Sequence, residues 1–126
     1  MIRHSAATVL FVATVAAAAL TQATYVRAAT KYDGAWSIVI ATRTGPCNAA
    51  YRFSGQIANG IVYYSGGGPI NFNGRVRPNG AAWVRVWASS NYAVAHGRLT
   101  VGRGSGTWRG QNSDGYCTGT WSATRE

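Results

Sequence analysis

From residue 32 onward, apolar and polar positions alternate with a period of two. In "INFNGRVRP" (70–78), Ile70, Phe72, Gly74 and Val76 fall on one side and Asn71, Asn73, Arg75 and Arg77 on the other. "YAVAHGRLTV" (92–101) sets Ala93, Ala95, Gly97, Leu99 and Val101 against Tyr92, Val94, His96, Arg98 and Thr100. "GSGTWRG" (104–110) sets Gly104, Gly106, Trp108 and Gly110 against Ser105, Thr107 and Arg109. Successive side chains of a strand point to opposite faces, so the pattern predicts strands with one apolar and one wet face. A transmembrane barrel needs an apolar outside, which arginine and asparagine on the polar face argue against.

Turn-forming clusters punctuate these runs: "TGPCN" (44–48), "ANG" (58–60), "SGGGP" (65–69), "RPNG" (77–80), "SSN" (89–91), "VGRG" (101–104) and "NSDG" (112–115). Asn-Gly favours the left-handed backbone of a tight hairpin. The expected fold is therefore all-β, eight strands joined by short hairpins into an antiparallel up-and-down barrel. Strand one (about 34–43) and strand eight (about 116–125) run antiparallel and become neighbours on closure. That puts Cys47, just past strand one, beside Cys117, at the start of strand eight. The two cysteines are expected to form one disulfide that locks the seam, and closure removes both exposed sheet edges.

A disulfide calls for an oxidising compartment, and the first residues point to one. Arg3 and His4 precede an Ala/Val-rich stretch from Ser5 to Leu20, followed by small residues that suit cleavage after Ala28 or, second, after Ala23. This predicts a signal peptide over 1–28 and a single barrel domain over 29–126, Sec-exported to the periplasm or beyond. The apolar run is shorter than the roughly 20 residues of a membrane-spanning helix, so the cleaved chain is not expected to span a membrane.

Charge adds to the picture. The cleaved chain keeps nine arginines and Lys31 against Asp33, Asp114 and Glu126, a net charge of +7. Such a balance suits an acidic partner, and arginine's planar fork pairs two-point with carboxylate or phosphate.

Two resemblances bear on the reading. "GAW" (34–36) opening strand one, with Arg125 near the end of strand eight, resembles the pattern of calycins, the lipocalin- and avidin-like barrels. There a tryptophan on the first strand packs beneath a basic residue from the last; Trp36 and Arg125 are the matching positions. Over most of the chain, "YDGAWSIVIATRTGPC", "QIANGIVYYSG", "FNGRVRPNGA", "HGRLTVGRGSGTWRG" and "CTGTWSATR" resemble small exported proteins of rhizobia and related alphaproteobacteria. Some of those carry a label of haem utilisation or adhesion.

Groups for catalysis or metal binding are sparse. His96 is the only histidine beyond the leader, and the three acids lie in turns or at the C-terminus. No carboxylate pair falls within one strand, no acid lies near His96 in sequence, and the glycine runs do not continue as Gly-Lys-Ser/Thr into a helix. No enzyme, metal or cofactor is expected.

Binding is the better expectation. "AAWVRVWAS" (81–89) places Trp83, Arg85 and Trp87 on one face and Val84, Val86 and Ala88 on the other. With the valines inward, two tryptophans flank an arginine on the outside, joined by Arg75 and Arg77 on one side and by Tyr92, His96 and Arg98 on the other. Such a surface suits an acidic polysaccharide, lipopolysaccharide or an envelope protein, with nucleic acid disfavoured by location. The opposite orientation buries Trp83 and Trp87 together with an unpaired Arg85, which is costly. Trp36, Trp108 and Trp121 sit among glycines on inward faces and read as barrel core. The expected function is a non-catalytic binding or envelope-surface module; the alternative is a calycin-like carrier of a small apolar ligand such as haem in the interior.

Overall fold

The computed structural model of the protein describes residues 2, 10–14, 29–64, 66 and 68–126. Most of the expected leader, including its cleavage sites, lies outside the described residues. Among those described, no helix is long and apolar enough to cross a membrane.

Eight antiparallel strands close into a barrel in sequence order: β1 (Gly34–Thr44), β2 (Ala50–Ala58), β3 (Ile61–Tyr64), β4 (Asn71–Val76), β5 (Ala81–Ala88), β6 (Asn91–Leu99), β7 (Arg103–Asn112) and β8 (Gly115–Arg125). The seam is continuous: β1 pairs with β8 from Trp36↔Arg125 to Thr44↔Thr118, with one irregularity between Thr42 and Thr44. Cys47 and Cys117 are bridged across it, their Cα atoms 6.1 Å apart. The ladders are unequal, with ten rungs joining β7 to β8 and two, Ile61↔Arg75 and Val62↔Gly74, joining β3 to β4.

Turn chemistry accounts for the hairpins. Asn59 and Gly60 adopt φ of 53° and 76° between the paired Ala58 and Ile61. Two left-handed residues make the tight turn whose twist matches the flanking strands. One expectation needs correcting: Val101 does not continue the inward face of Ala93, Ala95, Gly97 and Leu99. β6 ends at Leu99, and Val101 sits in the following turn, 58% exposed. Thr100 ends the strand by taking part in a turn with Arg103, whose carbonyl accepts from both the Thr100 amide and hydroxyl.

The two ends of the barrel differ. At the end where β1 begins, Tyr32, Trp36, Ile57, Val62, Val76, Leu99 and Ala123 form a buried cluster. Trp36, 2% exposed, donates from Nε1 to the Tyr32 carbonyl (2.8 Å), and Tyr32 donates from its hydroxyl to the Pro78 carbonyl (3.2 Å). The Arg125 guanidinium lies over the Trp36 ring, 4.9 Å from its centroid. It also donates to three backbone carbonyls, those of Lys31, Asp33 and Val101. A planar cation with a fixed fork can stack and donate in-plane at once, so one side chain ties the N-terminal turn, β8 and the β6–β7 turn together. Below it, Asp33 accepts from the Thr30 amide and hydroxyl and from the Asn59 and Gly60 amides. Burial pushes the Asp33 carboxyl up, but those donors outweigh it and hold the carboxyl below its ordinary value.

Candidate functional site

Inside the barrel, tryptophans lie on a wall paved with glycine. A Cβ on Gly97 or Gly106 would come within 2.4 and 2.7 Å of the Trp121 ring, and one on Gly119 within 2.6 Å of Trp108. The absent side chains are what let these rings lie flat against β6, β7 and β8. Each indole N–H is satisfied by backbone: Trp121 Nε1 donates to the His96 carbonyl and Trp108 Nε1 to the Ala41 carbonyl, both at 3.1 Å. Flat seating explains why these large residues leave room inside.

That room is a cavity of about 100 Å³. Ile38, Ile40, Phe53, Phe72, Val84 and Val86 line it, all only half-buried although they point inward. Tyr64, also inward, packs edge-on to Phe53 and stacked on Phe72, with ring centroids 6.1 and 6.2 Å apart. The side chains that line the cavity are aliphatic or aromatic, and among the described residues no fully buried side-chain polar atom lacks a hydrogen-bond partner.

A second hollow of about 220 Å³ lies at the disulfide end, between Tyr51, Ile70, Trp87, Tyr92 and Gln111. Ile40, Val86, Ala93 and Trp108 border both spaces, which makes the hollow the mouth of the cavity. Its rim is largely aromatic and aliphatic, with Asn91, Gln111 and Asn112 on one side, and it is exposed, with Trp87 at 40% and Tyr92 at 44%. The barrel is a cup: sealed below by Trp36 and Arg125, open above through aromatic residues.

On β5, Val84 and Val86 line the interior, and Trp83, Arg85 and Trp87 have the opposite parity, although half-buried Trp83 also borders the cavity and Trp87 its mouth. Cross-strand register divides the seven surface candidates. Trp83 stands between Arg75 and His96; Trp87 stands between Asn71 and Tyr92, at the mouth. Arg98 pairs with Ala81 and Ser105, one rank nearer the sealed end. Arg77 lies apart in the β4–β5 turn, its amide donating to the Ala81 carbonyl. Arg85 has Asn73 on one side and Val94 on the other, and beyond Val94 comes Arg109, which sequence reasoning did not include. The signal was present: once β6 and β7 pair across a short turn, Arg109 falls opposite Val94.

His96 is exposed, with Trp83 and Thr107 beside it. Among the described residues no three His, Cys, Asp or Glu side chains converge on a metal-binding geometry. Asp33 is engaged as above, and Glu126 accepts from the hydroxyls of Ser37 and Ser54. No family model, curated protein or solved structure matches the chain.

Proposed function

We propose that the protein is an exported, non-catalytic barrel that holds a small, uncharged, apolar molecule in its cup. The observation that carries this reading is a wholly apolar cavity, sealed at one end, that opens through an exposed aromatic mouth. Half-wet isoleucine, valine and phenylalanine surface forfeits roughly 25 cal/mol for each Å² left in contact with water, and a guest of matching character restores it. An apolar cavity of roughly 150 Å³ accommodates a benzene-sized molecule. The cup together with its mouth thus suits a small ring or a short aliphatic chain. Among the described residues no charged side chain borders the cavity or its mouth, so the preferred guest is neutral. The bridged cysteines favour the periplasm or the exterior as its place of work.

Haem is a poor fit. Drug-sized ligands need pockets of roughly 300–1,000 Å³, and cup and mouth together reach only the bottom of that range. Both cysteines are bridged, His96 belongs to the outer face, and the Tyr64 ring is packed between Phe53 and Phe72. Adding haem should therefore produce no bound-state Soret band.

Titration with toluene, followed by tryptophan fluorescence and calorimetry, tests the reading. Saturable one-to-one binding with a negative heat-capacity change is expected. Benzoate, the charged counterpart, should bind far more weakly. Ala93→Phe, which fills the shared wall of cup and mouth, should abolish toluene binding while leaving the far-ultraviolet circular dichroism unchanged. Absence of toluene binding, or equal binding by the filled variant, would overturn it.

A further inference from the structure

The outer face of β4–β7 is unlike the rest of the chemistry on this molecule. Between Asp33 and Asp114 the chain contains no carboxylate, yet it carries Arg43, Arg52, Arg75, Arg77, Arg85, Arg98, Arg103 and Arg109. All eight are exposed. Of the three acids, Asp33 is engaged by the N-terminal turn, Glu126 by Ser37 and Ser54, and Asp114 lies in the β7–β8 turn. On β4–β6 the guanidinium groups thus face outward from strands that carry no carboxylate at all.

Their arrangement on β4–β7 is ordered. One rank across the strands reads Asn73, Arg85, Val94, Arg109, Thr118. Adjacent strands are about 4.8 Å apart, so Arg85 and Arg109 stand roughly 9–10 Å from each other with only half-buried Val94 between them. Along β5, Trp83 and Trp87 lie two residues either side of Arg85, about 6–7 Å away. The neighbouring rank adds Arg75 and His96 around Trp83. Rings and a cation thus alternate along β5, and Arg75 on β4 and Arg109 on β7 extend the charge to either side.

We propose that this face binds a carboxylate-bearing polysaccharide. Paired guanidinium forks suit carboxylates two-point. Indole rings cover the apolar faces of sugars, and an open two-dimensional array suits a long chain better than a single small anion. Single-stranded nucleic acid shares part of this chemistry, through phosphate pairing and base stacking. The disulfide weighs against it, because it belongs to an oxidising compartment, away from the cell's nucleic acid. The array faces outward from strands that also line the cup, and the two share Trp83 at the wall and Trp87 at the mouth; the arginine variants, which leave both rings in place, tell the two sites apart.

The test uses immobilised polygalacturonate, with dextran as the neutral comparison and oligo-dT as the nucleic-acid comparison. The full chain should bind polygalacturonate, and the affinity should fall by at least about tenfold between ~0.05 and ~0.5 M salt. Arg85→Gln/Arg109→Gln should weaken binding about tenfold or more. Arg43→Gln/Arg52→Gln, which removes the same charge from β1 and β2, should weaken it no more than about threefold. Trp83→Ala should weaken binding with the salt dependence unchanged. Equal losses in the two double variants would overturn the site as an ordered receptor. Binding to dextran as tight as to polygalacturonate, or tighter binding to oligo-dT, would overturn the assigned partner. All five side chains are exposed or half-buried, and circular dichroism confirms that each variant remains folded.

Discussion

The sealed end and the mouth are built by the same eight strands, yet they solve opposite problems. At the sealed end a cluster of buried apolar residues is tied off by Trp36, Tyr32 and Arg125, with every buried polar group there answered by a backbone partner. At the mouth, Tyr51, Ile70, Trp87 and Tyr92 each keep some two-fifths of their surface in water, and the principal clamp is covalent. The contrast teaches that burial and openness can be separated along the axis of one small barrel. Packing at one end and a disulfide at the other free the space between them from serving as core.

The comparison can be broken most severely from below. Trp36→Ala removes the largest buried side chain and leaves Arg125 without its ring. A loss toward the upper end of about 3–5 kcal/mol in a denaturant titration is expected, with loss of the cup as well. Replacing both Cys47 and Cys117 by serine acts at the other end. Freeing a loop of 70 residues should lower stability by about 4 kcal/mol, read from the shift in denaturation midpoint, with the sealed end retaining its hydrogen-exchange protection.

Acid sharpens the contrast. The Asp33 carboxyl titrates below its ordinary value of 3.8 in the fold, so the unfolded chain binds the proton more readily. The stability it contributes is complete above that ordinary value and is lost as pH falls through the lower, folded one. Asp33→Asn should abolish this part of the acid dependence, measured by thermal melts across pH 2–5, about the carboxylate range. The smallest effect belongs to the rim. Ile70→Ser should alter stability by no more than about 0.5 kcal/mol while weakening toluene uptake, which would separate the mouth's role in binding from any role in folding.

Much of the architecture was legible because it rests on local rules. The strict alternation in 92–99, the Asn59–Gly60 turn and the placement of Cys47 and Cys117 at matching ends of β1 and β8 are each set by period, turn chemistry or topology. The path of β6 beyond Leu99 was not legible, since Val101 keeps the parity of an inward residue and only the Thr100–Arg103 turn ends the strand. The cup was hidden for a different reason. Alternation puts Ile38, Phe53 and Phe72 inside, but whether the inside is full depends on how Trp108 and Trp121 lie. That is decided by glycines distant in sequence, such as Gly97 on β6 beneath Trp121 on β8. Arg109 differs, since the local β6–β7 hairpin alone sets it opposite Val94.

The two-rung ladder between β3 and β4 has a consequence for traffic. A cylinder whose staves are fastened unevenly yields first at its least fastened joint, and here that joint runs from Val62 and Gly74 up to the lip. Amide protons along β3 should exchange ahead of those on β7 and β8, and on the proposed reading a guest wider than the resting opening would enter by parting these two staves.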